Sequence, residues 1–302
     1  MLKIEYIRDG LVEESHIGVW AMAKPVKGFK PDNDVETPFY LRSCAKPIQA
    51  TLLMDNDIDL KPDELAFCCA SHAGEDCHIK VATKLLKKFK LNEDMLLCGV
   101  HAPLSKGMQN RMIVRGDVPN VLHNNCSGKH IAFLALCDKN KWDKANYNEP
   151  EHPLQVAVKS KIYSMCNVKK EYPMTTDGCG VPIVSMPLTN LVQGFINLLE
   201  YPKILQSIKA CPYIFGGEGR TDTEIISKTE NLIAKVGAGG LCVVLNVKEC
   251  NAFAIKINDA SAEARRFALF EIINRLGWGD IKYDNRITTI AGKVVGYVTV
   301  SL

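Results

Sequence analysis

Alternating, β-rich segments lie at both ends of this chain and helical patterning fills the stretch between them. That distribution restricts the fold more than any other feature. Ile4 to Ile7 and His16 to Met22 read as two strands around the turn-like Arg8-Asp9-Gly10, and Leu241 to Val247, Ala252 to Ile257 and Val294 to Val300 read as strands near the other end. From Ser43 to about Leu199 the pattern is mainly helical. Pro47 falls in the first turn of a helix from Ala45 to Met54, where its missing N–H costs little, and Pro62-Asp63-Glu64 marks another helix start. A helix follows the Ser127-Gly128 turn from Lys129 to Cys137, and Ala262 to Leu276 reads as a helix between the last two strands. The expectation is an α+β fold: one largely antiparallel sheet assembled from both chain ends, flanked by helices, with a helical subdomain over roughly residues 43–230. No repeat or linker interrupts the chain, so residues 1–302 read as a single domain, and the Pro-, Gly- and Asp-rich loop from Val26 to Thr37 reads as a mobile flap.

Composition narrows the partners. With 302 residues, 47% apolar and 24% charged, the chain has the usage of a globular protein with a large core. The net charge is only +3 and the Lys and Arg residues are scattered, so no basic stripe offers a site for nucleic acid. No apolar run reaches the length of a membrane span, and the start MLKIEYIRDG lacks the build of a signal peptide, which points to a cytoplasmic protein. Most of its twelve cysteines are then expected to be reduced. Cys68, Cys69, Cys137 and Cys242 sit in apolar runs, where a thiol packs as a small hydrophobe. Cys126 in HNNCSGKH and Cys179 in TTDGCGVP lie instead in polar, glycine-containing segments, where a thiol has no apolar reason to be.

Four segments could carry chemistry. Ser43 and Lys46 form an S-x-x-K at a helix start, three residues apart and therefore on one helix face, so the lysine amine can reach the serine hydroxyl. A desolvated, neutral lysine can take the proton that makes serine a nucleophile; a helix-capping serine followed by a solvated lysine is the alternative. The segment Ala70-Ser71-His72-Ala73-Gly74-Glu75 either caps a helix or brings a second hydroxyl, with His72 as a polar neighbour. Cys126 and Cys179 are soft ligands of the kind zinc takes, yet neither belongs to a C-x-x-C, so any site must draw on His, Lys or water as well. Lys256 lies among aliphatic residues in a strand, where it either faces water or is buried with a partner.

These segments together resemble the asparaginase II family, the rhizobial, thermolabile type of L-asparaginase, whose fold is related to serine β-lactamases. The resemblance runs nearly end to end: Arg8, Gly10, Glu14 and His16, then RSCAKPIQ from Arg42, SHAGEDCH from Ser71, HNNCSGKH from His123, DGCGVP from Asp177 and AIKI around Lys256. It implies two serine–lysine pairs, Ser43 with Lys46 and Ser71 with Lys256, and a zinc ion held by Cys126, Lys129 and Cys179. Arg42, His72, Asp177 and His130 are implied as substrate-contacting groups, and a homodimer as the assembly. The implied reaction is hydrolysis of the side-chain amide of L-asparagine to aspartate and ammonia; a glutaminase, a penicillin-recognising serine hydrolase and an inactive zinc-binding regulatory module are the alternatives. The chain lacks the S-D-N and K-T-G motifs of penicillin-recognising enzymes. It departs from the family pattern at Gly239, where relatives carry Glu, and at Asn258-Asp259-Ala260, where relatives carry an Asp-Gly pair.

Overall fold

The computed structural model describes residues 1–33 and 36–302; residues 34 and 35, inside the expected flap, lie outside the described residues. Ten strands occur among them: β1 (Leu2–Arg8), β2 (Leu11–Met22), β3 (Phe39–Tyr40), β4 (Met174–Thr176), β5 (Pro182–Met186), β6 (Leu232–Val236), β7 (Leu241–Asn246), β8 (Asn251–Ile257), β9 (Arg286–Thr288) and β10 (Val294–Ser301). Seven form one antiparallel sheet in the order β6-β7-β8-β2-β1-β10-β9, so both chain ends do build it, and the fold is α+β. A second sheet of three short strands, in the order β3-β5-β4, lies outside the expected architecture.

The first hairpin shows how turn chemistry sets register. Asp9 and Gly10 both have positive φ, 45° and 83°, which the two-residue hairpin turn requires and which Asp and Gly tolerate. Arg8 therefore pairs with Leu11, and β2 begins five residues before the expected His16 because the tight turn carries pairing through the exposed Glu13, Glu14 and Ser15. Further along, β6, at one edge of the sheet, and its neighbour β7 are buried throughout, so the sheet is covered on both faces here. Helix Leu188–Asn197 packs across β2, β7 and β8, and helix Ala262–Arg275 packs across β1, β8 and β10.

The expected helix from Ala45 to Met54 is broken. A 3-10 turn over Arg42–Ala45 leads into short helices Lys46–Gln49 and Thr51–Asp55, tightened by i+3 bonds from Cys44 N to Leu41 O and from Leu53 N to Ala50 O. The helix Ser127–Asn140 begins two residues earlier than expected and is buried around its whole circumference from Ser127 to Cys137, which makes it the axis of the helical part.

Ala260 carries a strain visible in the backbone. It has φ of +66°, in the left-handed region, in the turn after β8. Ala260→Gly is expected to stabilise the protein by about 1 kcal/mol, the relieved strain exceeding the entropy that glycine adds to the unfolded chain. Urea unfolding at neutral pH checks this, and a lower midpoint for the glycine variant would contradict it.

Candidate active site

The 3-10 turn presents Ser43 directly after Arg42, a non-glycine residue held at φ of +47°. Strain of this kind persists only where the surroundings over-determine it. Ser43 Oγ donates to Ser71 Oγ at 3.3 Å, and Asn125 Nδ2 donates to the same oxygen at 2.8 Å. Ser71 lies in the irregular segment that follows helix Pro62–Cys68, so its hydroxyl is aimed by the chain on either side of it.

Lys46 is buried, and its Nζ donates to Ala70 O at 2.7 Å and to Asn125 O at 3.0 Å. Burial pushes its pKa down, and the charges of Lys129 and Lys235 add to the effect, outweighing the opposing thiol groups of Cys126 and Cys179. A neutral amine has two N–H bonds, both satisfied here by carbonyls, which leaves a lone pair to accept a proton. The S-x-x-K thus holds a desolvated amine against the backbone next to Ser71.

Cys126, Lys129 and Cys179 lie close together. Cys126 is the N-cap of helix Ser127–Asn140, Lys129 lies in its first turn, and Cys179 sits in the turn between β4 and β5. Lys129 Nζ donates to Cys179 Sγ at 2.9 Å. A hydrogen bond from Cys179 holds the Cys126 thiol well below its ordinary value despite burial, with Lys46 and Lys129 adding to the shift. Cys179 is shifted up by that same contact and by burial. Two sulfurs and an amine gathered in one buried place are a donor set that suits zinc. Arg42 Nε and Asp177 Oδ1 form an ion pair at 3.0 Å, and both residues line a cavity of about 180 Å³ with Ser43, Cys126, Cys179 and His101. A larger concavity, about 570 Å³, lies elsewhere, between helix Pro153–Met165 and β4, and contains none of the candidate catalytic residues.

Other expected residues fall differently. His72 and His130 are fully buried and do not line the cavity. His72 Nδ1 accepts from Gly74 N and its Nε2 lies 2.9 Å from Ser127 Oγ, while His130 Nδ1 lies 2.6 Å from Tyr147 OH. Burial holds both rings neutral, so they brace the walls. The imidazole that does line the cavity is that of His101, in a loop whose spacing gave no signal.

Lys256 does not meet Ser71: its Nζ donates to Ile257 O at 2.8 Å and lies over the Phe39 ring, 5.9 Å from its centre. A further buried lysine is Lys235 on β6, wholly inaccessible, paired with Asp222 at 3.1 Å and 4.8 Å from the centre of the Phe215 ring. Its charge acts on both Lys46 and Cys69. Among the described residues one more cluster of ligand types exists, Glu75, Cys77 and His78. Both nitrogens of His78 are engaged, Nδ1 accepting from Glu75 N at 3.0 Å and Nε2 lying 3.1 Å from Tyr213 O, so the cluster serves as the N-terminal cap of helix Asp76–Phe89.

The serine pair, the desolvated lysine and the ion-paired cavity thus lie in one part of the fold. A family model described as L-asparaginase II matches residues 4–299, and the chain belongs to that family. Its function is therefore of the L-asparaginase type, a hydrolase acting on amides of a small-molecule substrate. No match was found among curated proteins. Among the described residues no helix is long and apolar enough to cross a membrane.

Proposed function

We propose that the protein is an L-asparaginase that hydrolyses the side-chain amide of L-asparagine to L-aspartate and ammonia through an acyl-enzyme on Ser43. The observation that carries this reading is the contact of Ser43 with Ser71 at 3.3 Å beside the buried amine of Lys46. Lys46 accepts the proton lost by Ser43, Ser43 Oγ attacks the amide carbon, and the proton held on the lysine goes to the departing nitrogen as ammonia leaves. Water then cleaves the aspartyl ester, with the amine again taking a proton. The charges of the Arg42–Asp177 pair at the cavity wall match the α-carboxylate and α-ammonium of an amino acid, which would otherwise be buried unpaired. Lys129 and Lys235, rather than the expected Lys256, are the lysines whose charges add to burial in lowering the Lys46 pKa. Bound at Cys126, Lys129 and Cys179, zinc would supply a fixed positive charge beside the cavity for orienting the substrate.

Ammonia release from L-asparagine, L-glutamine, D-asparagine and a chromogenic β-lactam tests the reading, with L-asparagine expected to be the best substrate. Preference for L-glutamine or turnover of the β-lactam would replace the proposed substrate. We further expect about one zinc per chain by elemental analysis of protein purified without chelators, and its loss from Cys126→Ser combined with Cys179→Ser. Unchanged metal content in that double variant would move the site elsewhere. The protein is proposed to act as a cytoplasmic homodimer, with the exposed Ile113, Val114 and Val118 as apolar surface available for association, and sedimentation reports the assembly directly.

A further inference from the structure

Asn125 joins three groups of the site, although neither its residue type nor its spacing singles it out. Its Nδ2 donates to Ser71 Oγ at 2.8 Å, its carbonyl oxygen accepts from Lys46 Nζ at 3.0 Å, and its backbone N–H donates to His101 Nε2 at 3.1 Å. One residue thus touches a serine, the base and the cavity imidazole.

The direction of the first bond has a chemical consequence. A serine hydroxyl has two lone pairs and one proton. Ser71 Oγ accepts from both Asn125 and Ser43, so both lone pairs are occupied and only its proton is left to give. The amine of Lys46 is anchored on the carbonyls of Ala70, the residue before Ser71, and of Asn125 itself. We propose that Asn125 is a positioning residue that makes Ser71 a one-way proton relay from Ser43 to Lys46. In the step, the Ser43 proton bonds to Ser71 Oγ as the Ser71 proton bonds to Lys46 Nζ. Ser71 is unchanged, the amine becomes an ammonium, and the electron pair left on Ser43 Oγ attacks the amide carbon. His101 secures the arrangement. Its Nε2 lies 3.0 Å from Asn125 Oδ1 and 3.1 Å from Asn125 N, so the imidazole meets the oxygen end of the amide and leaves the nitrogen end toward Ser71. The inference rests on the serine–lysine reading of the site.

Two substitutions separate relay direction from packing. Asn125→Asp keeps the shape but replaces the donor by an acceptor, so Ser71 would give its proton to the carboxylate and the relay would stop. Asn125→Ala removes the donor but leaves Ser71 free to turn. A purely structural role makes Asp the milder change, whereas the relay makes it the more damaging one. Measured as the rate at which a fluorophosphonate labels the Ser43 peptide, Asn125→Asp should be slower than wild type by about a hundredfold and Asn125→Ala by about tenfold. The kcat for L-asparagine should fall in the same order while KM changes by less than about threefold. The reverse order, or labelling within about twofold of wild type in both folded variants, would overturn the proposal. If neither variant folds, Ser71→Ala takes their place and must slow Ser43 labelling at least as much; undiminished labelling there overturns it equally. Wild-type protein that labels at Ser43 but releases no ammonia from L-asparagine would sink the substrate assignment, and the labelling order would still decide the role of Asn125. Wild-type protein that does not label at Ser43 would sink the relay itself.

Discussion

Ser43→Ala is expected to lower kcat for ammonia release by a factor of about a thousand or more while leaving the fold intact. The substitution removes one oxygen from a turn whose neighbouring contacts, Cys44 N to Leu41 O and Lys46 Nζ to two carbonyls, do not depend on it. Lys46→Ala should lose a similar amount, because the serine without its base has no means of shedding a proton. The two losses should not add, and the double variant should be about as slow as either single one. Losses that multiplied would mean that the two residues act in separate steps. Since Lys46 is buried, its truncation also leaves a cavity, so thermal unfolding is measured on each variant to separate lost chemistry from lost fold.

Lys235→Met is expected to cost about 3–5 kcal/mol of stability, because it leaves Asp222 buried and unpaired. Both partners are wholly inaccessible, and they meet at 3.1 Å. Burial alone would push the Asp222 carboxyl up. The charges of Lys235 and Arg220 and hydrogen bonds from Lys235 and Val236 outweigh it and hold the group below its ordinary value. A carboxyl depressed in the folded state stabilises the fold above the unfolded pKa, and that contribution is lost as pH falls through the folded value. In the methionine variant the sign reverses, since an unpaired buried carboxyl is easier to keep when protonated. The gap between wild type and Lys235→Met should therefore be widest near neutral pH and narrow below about pH 4. Urea unfolding at several pH values measures it. Lys256→Met, which removes an ammonium bonded only to Ile257 O, should cost less than about 1 kcal/mol and change the rate by less than about threefold. An Lys256→Met enzyme as damaged as Lys235→Met would restore the Ser71–Lys256 pair.

The contrast between these two lysines shows what the sequence makes legible. Both lie in aliphatic strand segments and look alike by pattern, IAKV and AIKI. Alternation gives the face on which a side chain sits, but only the packed sheet shows that β6 faces Asp222 and the serine pair while Lys256 turns back along β8. The strand β6 gives no clear signal because it is five residues long and carries a lysine near its centre. Strands β3, β4 and β9 have two or three residues each, too few for periodicity to register. The terminal strands and the helix start at Pro62 are readable, and the helix at Ser127 to within two residues, because each depends on local chemistry such as alternation and proline position; thiols in polar glycine turns single out Cys126 and Cys179, whereas Lys129 comes only from the family resemblance. His72 and His130 mislead for the converse reason. Polar residues in motif-like segments suggest a pocket, yet hydrogen bonds to Ser127 and Tyr147 satisfy them inside the core. Asn125 and His101 act through backbone and amide geometry, which residue type and spacing do not encode.

The most direct measurement is rapid acid quenching of the protein during turnover of L-asparagine, followed by peptide mapping. Nucleophilic attack by Ser43 predicts an aspartyl ester on the peptide containing Ser43, formed as ammonia is released and absent from Ser43→Ala. Ammonia release at an undiminished rate by Ser43→Ala, with no adduct on any serine of the wild type, would contradict the serine mechanism outright.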